Sequence, residues 1–274
     1  MNFILLTSLL FFKKPKIIVG ERNLTILAGL REKVNHLFLY RFASYIVPNS
    51  YSQAEYLKSL NKKWSKRVRV ITNYTELNYY TETKVPILQP LRIGVFSRFS
   101  KQKNCIRFAQ MVSELKTQGY NNFVIHWFGD QMKKEGVWDE NFVEFRELVD
   151  KLAINEICKL HPSTDAVKEE MMQCHVICMP SLYEGFSNSV SEGICIGRPM
   201  LVSNVSDNHL MVEEGVNGFL FNPYSIDSMV KAFKKMLNTN QQELEKMGRE
   251  SRKKAEILFD KEKFISQYIN LIEK

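Results

Sequence analysis

Two glutamates, Glu184 and Glu192, stand eight positions apart around a Gly-Phe-Ser-Asn turn in the stretch SLYEGFSNSVSEGICIGRP, Ser181–Pro199. The residues before them, His175–Pro180, read as a buried strand. Those after them read as a short helix stopped by Gly197 and Pro199. A strand, a glycine-containing loop and a helix N-terminus make an anion site, because first-turn backbone N–H groups lack intrahelical partners. Carboxylates beside such a site can accept hydrogen bonds from hydroxyls. Phosphate together with hydroxyls is the chemistry of a nucleotide sugar.

Two further segments fall where strands end. In Gly94–Asn104 (GVFSRFSKQKN), Arg98 and Lys103 could neutralise a diphosphate and stabilise it as a leaving group, or simply be charges of a solvated loop. In Phe128–Asp130, Gly129 would let backbone approach a ligand closely, or serve an ordinary turn. The glutamates also have a structural alternative. Ser189-x-x-Glu192 and Ser181-x-x-Glu184 both match the helix capping box, in which the glutamate satisfies a backbone N–H.

The elements that must position these groups alternate along the chain. Strands are expected at Lys16–Gly20, Tyr45–Pro48 and Val68–Thr72, with helices at Leu24–Ala43 and Ser52–Leu60. Asn73–Pro90 lacks periodicity and reads as an interdomain linker. A second run places strands at Leu91–Phe96, Phe123–Phe128, Ile157–Leu160, Val176–Met179 and Met200–Ser203. Helices lie between them near Asn104–Thr117, Asp139–Leu152, Asp165–Gln173 and Asn208–Glu214, and three more close the chain at Ile226–Leu237, Gln242–Leu258 and Asp260–Ile272. Short apolar strands separated by amphipathic helices predict an α/β protein with parallel sheets covered on both faces. The predicted domains are residues 1–85 and 86–274.

Composition sets the partners. Residues 1–84 hold 14 Lys/Arg against 5 Asp/Glu, whereas residues 85–274 hold 24 against 25. The basic excess therefore sits in the first third, and an anionic partner should be attracted there. No nucleic-acid-reading motif is present, so an anionic membrane surface or phospholipid-like acceptor fits better than nucleic acid. Five cysteines (Cys105, Cys158, Cys174, Cys178 and Cys195) are odd in number and several lie in strand or helix cores, as expected of reduced thiols in a cytoplasmic protein. Cys174, His175 and Cys178 match no paired zinc knuckle, and no metal site is expected. The N-terminal run MNFILLTSLLFFKKPK is too short to span a bilayer and lacks a basic leader, so it reads as a buried helix feeding the first strand.

With these residues in place, the chain resembles the retaining glycosyltransferases of the GT-B fold, family 4, from about Lys16 to its C-terminus. The marks are Val68–Asn73 (VRVITN), the Arg98/Lys103 pair, Phe128–Asp130, and above all the Glu184–Glu192 pair with the following IGRPML and Gly215–Phe219 (GVNGF). The resemblance implies two Rossmann-like doubly wound domains, the first of them incomplete. It implies transfer of a sugar with retention from a nucleotide-diphosphate sugar, such as a UDP- or GDP-sugar, to a glycan or lipid-linked acceptor. The setting would be bacterial surface polysaccharide or glycolipid synthesis, in the cytoplasm and peripheral at the inner face of the cell membrane. No cofactor is implied, and no Asp-x-Asp pair suggests a metal.

Arg98 and Lys103 would grip the diphosphate, and Glu184 would contact sugar hydroxyls. Backbone at Gly129, Gly185, Phe186 and Ser187 would line sugar or phosphate. Val190 and Ser191 would touch phosphates or ribose, and Glu192 would accept the ribose hydroxyls. The Leu160–Ser163 loop, including His161, would frame the base. Arg22, in the turn Glu21-Arg22-Asn23, is a donor or acceptor contact or a plain strand-end residue.

The chain departs from the family pattern in three places. Gln131 and Met132 follow Gly-Asp where a second glycine is common. Val205–Leu210 replaces a Gly-Gly turn and a glutamate. The first domain holds only its later half, so the start looks truncated. Two rival readings follow from that: a catalytically silent sugar-nucleotide-binding fragment lacking the acceptor half, and a GT-B-fold nucleotide-sugar epimerase.

Overall fold

The computed structural model describes residues 16–22, 34, 38, 40–87 and 89–273. The chain divides into two compact units. The first comprises Met1–Tyr74, Glu184–Phe186 and Asp260–Lys274, and the second Thr75–Tyr183 and Ser187–Phe259. The expected N-terminal helix and most of the expected helix Leu24–Ala43 lie outside the described residues, as does Asn23.

In the first unit, strand β1 (Ile18–Glu21) pairs in parallel with β2 (Tyr45–Pro48), and helix α1 (Tyr51–Leu60) follows. Ser50 caps α1, its hydroxyl accepting from the Gln53 N–H at 3.1 Å. The expected strand at Val68–Thr72 is reduced to one parallel bridge, Ile46 to Val68. Its backbone still runs along β2, with the Arg69 N–H on the Ile46 carbonyl at 2.9 Å and the Ile71 N–H on that of Pro48 at 3.2 Å. Val19, Ile46, Leu57, Trp64 and Val68 form one apolar cluster.

The second unit is built on a six-stranded sheet: β3 (Leu91–Phe96), β4 (Phe123–Phe128), β7 (Cys158–His161), β8 (Val176–Met179), β9 (Met200–Ser203) and β10 (Gly218–Phe221). All its pairings are parallel and the spatial order is β10-β9-β8-β3-β4-β7. Numbered within the unit, that is the 3-2-1-4-5-6 order of a Rossmann sheet, whose ligand crevice opens where the order reverses, between β3 and β8. The helices are α2 (Cys105–Thr117), α3 (Glu140–Lys151), α4 (Val167–Met172), α5 (Asn188–Cys195), α6 (Asn208–Met211), α7 (Ile226–Leu237) and α8 (Gln241–Leu258). Two-sided burial makes the strands continuously apolar: Val176–Met179 and Met200–Ser203 are buried at every position. Phe108, Trp127, Phe145 and Phe233 stack edge to face in the core beneath α2 and α7.

Two boundaries differ from expectation. Residues 75–85 belong to the second unit, because its side chains hold them. The fully buried Arg198 donates to the Thr83 carbonyl at 2.8 Å and hydroxyl at 2.7 Å, and the Thr83 N–H reaches the Ile196 carbonyl. The last helix, α9 (Lys261–Glu273), belongs to the first unit. Its Leu271 is buried with Val47 and Ile71, and Phe264 packs on Tyr74 with ring centroids 5.2 Å apart. The structure also adds β10 and a short antiparallel hairpin, β5 (Met132–Lys134) and β6 (Val137–Trp138), neither expected from sequence. The hairpin occupies the position where Gln131 and Met132 depart from the family pattern. Among the described residues no helix is long and apolar enough to cross a membrane.

Candidate functional site

The loops after β3 and β8 are stitched together at the point where the sheet order reverses. The Leu182 N–H donates to the Gln102 carbonyl at 2.8 Å, and Gln102 Nε2 donates to the Tyr183 carbonyl at 2.9 Å. Asn104, buried and left-handed at φ 62°, donates from Nδ2 to the carbonyls of Pro180 (3.2 Å) and Pro223 (2.9 Å). Asparagine is one of few non-glycine residues that tolerate this conformation. Sequence reading did not single out Gln102 or Asn104. Between them, Lys103 brings its ammonium to 3.9 Å from the Met179 sulfur at the end of β8. Arg98, in the same loop, is exposed and has no hydrogen-bond or ion-pair partner among the described residues. Arg98 is therefore presented to solvent in the loop after β3 rather than spent on an internal pair.

Helix α5 starts beside this loop. Ser189 Oγ donates to the Phe96 carbonyl at 2.7 Å, tying the first turn of α5 to the end of β3. The N-cap is Ser187, whose side chain makes no cap hydrogen bond. This removes the capping-box explanation for both glutamates. Ser189 lies inside the helix, and no helix begins at Ser181, whose hydroxyl faces the Met179 sulfur at 3.1 Å. The helix N-terminus thus lacks a side-chain cap of its own, the state that suits an anion.

Val190 and Ser191 are fully buried, and Ser191 Oγ donates back to the Ser187 carbonyl at 2.9 Å. Their side chains are buried, so a ligand contact at these positions would be made through the backbone. The N–H of Ser191 is also used, on Ser187 at 3.0 Å, which leaves the backbone of the first turn as what this segment can offer. Glu192 is half-buried. Burial pushes its carboxyl upward, and a hydrogen bond from the Tyr80 hydroxyl partly offsets the push. Tyr80 lies in the segment read as a featureless linker, and nothing in its spacing marked it.

Across the sheet, β4 ends at Phe128, just before Gly129, and β7 ends at His161. A Cβ on Gly129 would lie 2.3 Å from the Ser97 carbonyl oxygen, so the neighbouring strand end by itself requires glycine there. His161 stacks on Phe128 at 4.5 Å, and Phe128 on Phe96 at 5.0 Å, a row of rings across three strand ends. The His161 and His126 rings share a hydrogen bond of 3.0 Å. Burial holds both below the usual histidine range, with nearby Arg92 adding to the effect, and His126 falls to about 4. The five cysteines are free and buried.

Glu184, Gly185 and Phe186 belong to the first unit, where Arg22 also lies. Asn73 Nδ2 donates to the Phe186 carbonyl at 3.3 Å, and a Cβ on Gly185 would meet Asn49 Oδ1 at 3.3 Å. Asn49 and Arg22 both donate to Asn73 Oδ1, at 3.2 and 3.0 Å, and Arg22 Nη2 donates to the Tyr268 hydroxyl at 2.8 Å. Arg22 is exposed yet oriented, at the carboxyl ends of β1 and β2. Glu184 itself is buried.

Two curated relatives match parts of the chain. The MMP alpha-(1->4)-mannosyltransferase of Mycolicibacterium hassiacum is 28% identical over 133 residues, 47% of this chain and 32% of that protein. The UDP-Gal:alpha-D-GlcNAc-diphosphoundecaprenol alpha-1,3-galactosyltransferase of Escherichia coli is 37% identical over 57 residues, 21% of this chain and 15% of that protein. The chain thus matches a third or less of the length of these relatives. Among solved structures, HepE of Anabaena, in complex with UDP and glucose, superposes with a TM-score of 0.82 at 18% identity, over 94% of this chain and 72% of that one. Sucrose-phosphate synthase from Thermosynechococcus elongatus gives 0.79 at 16%, over 99% and 70%. At these identities the likeness is one of fold, and the fold is GT-B. The model of the family described as glycosyl transferases group 1 matches residues 84–254, more than half of the sequence, and the chain belongs to that family.

Proposed function

We propose that the protein is a retaining glycosyltransferase that moves a sugar from a nucleotide-diphosphate sugar to a glycan or lipid-linked acceptor in bacterial surface polysaccharide or glycolipid synthesis. The observation that carries the reading is the switch point of the second unit. Arg98 and Lys103 follow β3 there, and the uncapped N-terminus of α5 follows β8. Charge develops on the departing diphosphate during transfer, so fixed cations and helix N–H groups supply the transition-state stabilisation. Glu192 takes the ribose hydroxyls and Glu184 the sugar hydroxyls, while Gly185, Phe186 and Ser187 line the donor with backbone. His161 borders the base, and Arg22 contacts donor or acceptor. In the transfer itself the C1–diphosphate bond breaks and a C1–acceptor oxygen bond forms on the same face. The acceptor's proton passes to the leaving phosphate oxygen, so no protein nucleophile and no cofactor are invoked. Both curated relatives are named as hexosyltransferases, and the Escherichia coli relative's name specifies a diphosphoundecaprenol acceptor. Together with the basic first third, this supports a lipid-linked acceptor met at an anionic membrane surface.

The test is donor turnover followed by proton NMR, with UDP- and GDP-sugars and water or added acceptors. Release of an α-anomer from an α-linked donor is expected, and its loss in an Arg98→Ala/Lys103→Ala double variant that still melts cooperatively. Release of the β-anomer would contradict retention. A changed free sugar formed without acceptor would mark an epimerase. Donor binding with no turnover under any condition would mark a silent binding fragment.

A further inference from the structure

Lys103 is bracketed by two side-chain amides. Residues Lys101–Lys103 form a single 3-10 turn, in which the Lys103 N–H meets the Ser100 carbonyl at 2.9 Å. Such a turn fixes its own shape but not its place against the next strand. The neighbours of Lys103 supply that. The buried Asn104 amide is fully used: Nδ2 donates to the Pro180 and Pro223 carbonyls, and Oδ1 accepts from Arg107 Nη1 at 3.4 Å. Gln102 is half-buried, and its amide makes one hydrogen bond among the described residues, donating to the Tyr183 carbonyl at 2.9 Å. Its own carbonyl accepts from the Leu182 N–H at 2.8 Å, so the two bonds close a ring that pins the turn to the loop after β8. The Leu182 carbonyl is held in turn by the Tyr224 hydroxyl at 3.3 Å. From this anchored turn the Lys103 ammonium comes within 3.9 Å of the sulfur of Met179, the last residue of β8. Lysine is a point charge on a flexible stem, so the placement of its backbone governs how much of that charge a fixed anion meets.

We propose that Gln102 is a positioning residue of the donor site, its amide locking the loop after β3 to the loop after β8 so that Lys103 is pre-placed for the donor diphosphate. This rests on the nucleotide-sugar reading above and deepens it. The role differs from packing, because the bond runs to a carbonyl and needs a donor at the end of the side chain. Gln102→Met keeps the length and the burial and removes that donor alone. The main-chain bond from Leu182 is retained.

The experiment is calorimetric titration of the full-length chain with UDP, GDP and ADP, and saturation-transfer NMR with the nucleoside of whichever binds best. In Gln102→Met the preferred diphosphate should bind about three- to tenfold more weakly, the loss typical of one neutral hydrogen bond. The nucleoside, which has no phosphate for Lys103 to meet, should bind unchanged. In a Lys103→Ala background the same Met substitution should have little further effect, because Gln102 acts through Lys103. Gln102→Leu, which also lacks the amide, takes its place if the Met variant does not melt cooperatively. Unchanged or tighter diphosphate binding would overturn the proposal. Equal weakening of diphosphate and nucleoside would overturn it too, as would an undiminished loss in the Lys103→Ala background. If the parent chain binds none of the three nucleotides, the donor-site reading itself fails and takes this inference with it. A parent that binds beside an indifferent variant removes Gln102 alone.

Discussion

At the scale of single residues, the proposed function gives the two glutamates of the Glu184–Glu192 pair separable tasks. Glu192 lies in the second unit beside Tyr80, and Glu184 packs with the first. Glu192→Ala should therefore weaken free nucleoside diphosphate, whereas Glu184→Ala should spare it and weaken only the sugar nucleotide. Titrating both ligands against both variants checks this, and four equal constants would refute it. Burial raises the Glu192 pKa above 4.5. Its contribution to stability is accordingly present at low pH and lost as pH rises through the raised value. Ribose binding needs the ionised form, so nucleotide affinity should fall as pH drops through that same range.

His126 runs the other way, because its folded pKa lies below its unfolded one. The neutral histidine contributes stability above pH 6.5 that is lost as pH falls toward about 4. His126→Gln should flatten the decline in melting temperature across that window, and an unchanged slope would show that the His126–His161 pair is not its source. The sequence marked both glutamates by type and spacing, and His161 only through the family resemblance. It could not mark Tyr80, Gln102 or Asn104, since each acts through a contact made only after distant segments meet.

At the scale of elements, helix α8 supports α5. Gly248 in the middle of α8 lies against Gly197, which ends α5 at φ +74°. A Cβ at Gly248 would be 2.5 Å from the Gly197 carbonyl oxygen, a backbone atom that cannot swing aside. Glycine inside a helix normally costs about 1 kcal/mol relative to alanine, so alanine would ordinarily stabilise. Here overpacking of roughly 1–3 kcal/mol opposes that gain. Gly248→Ala should lower the melting temperature, and a rise would show that α8 can shift away without cost. Strands β2, β3, β4, β8 and β9 were legible to the residue, because they are short, mostly apolar runs set between polar segments. β10 was not, since Gly218 opens it: a Cβ there would lie 2.2 Å from the Met200 carbonyl oxygen, a packing reason with no local signature. The hairpin β5–β6 escaped for another reason, being a few exposed residues with no apolar pattern to read.

At the scale of the whole molecule, charge and chemistry are divided between segments. Residues 1–84 carry a surplus of nine positive charges and the remainder is nearly neutral. If the first third meets an anionic surface, the chain should co-sediment with vesicles containing phosphatidylglycerol and not with phosphatidylcholine alone. Binding should decline as salt rises, because exposed charges are screened. Sedimentation equal on both vesicle types would contradict an electrostatic attachment. Arg198 and Arg252 hold the carbonyls of Thr83 and Tyr80, so residues 75–85 group with the second unit, a grouping that no composition shift announces. The most direct test of the account is a thermal-shift panel of UDP, GDP, ADP and CMP on the chain. A nucleotide at a hundred times its dissociation constant should add about 2.7 kcal/mol, raising the melting temperature by roughly 5–10 °C for a chain of this size. A rise with one diphosphate, abolished in Arg98→Ala/Lys103→Ala, is the predicted result. A cooperative melt that none of the four nucleotides moves would contradict a donor site at the β3–β8 switch point.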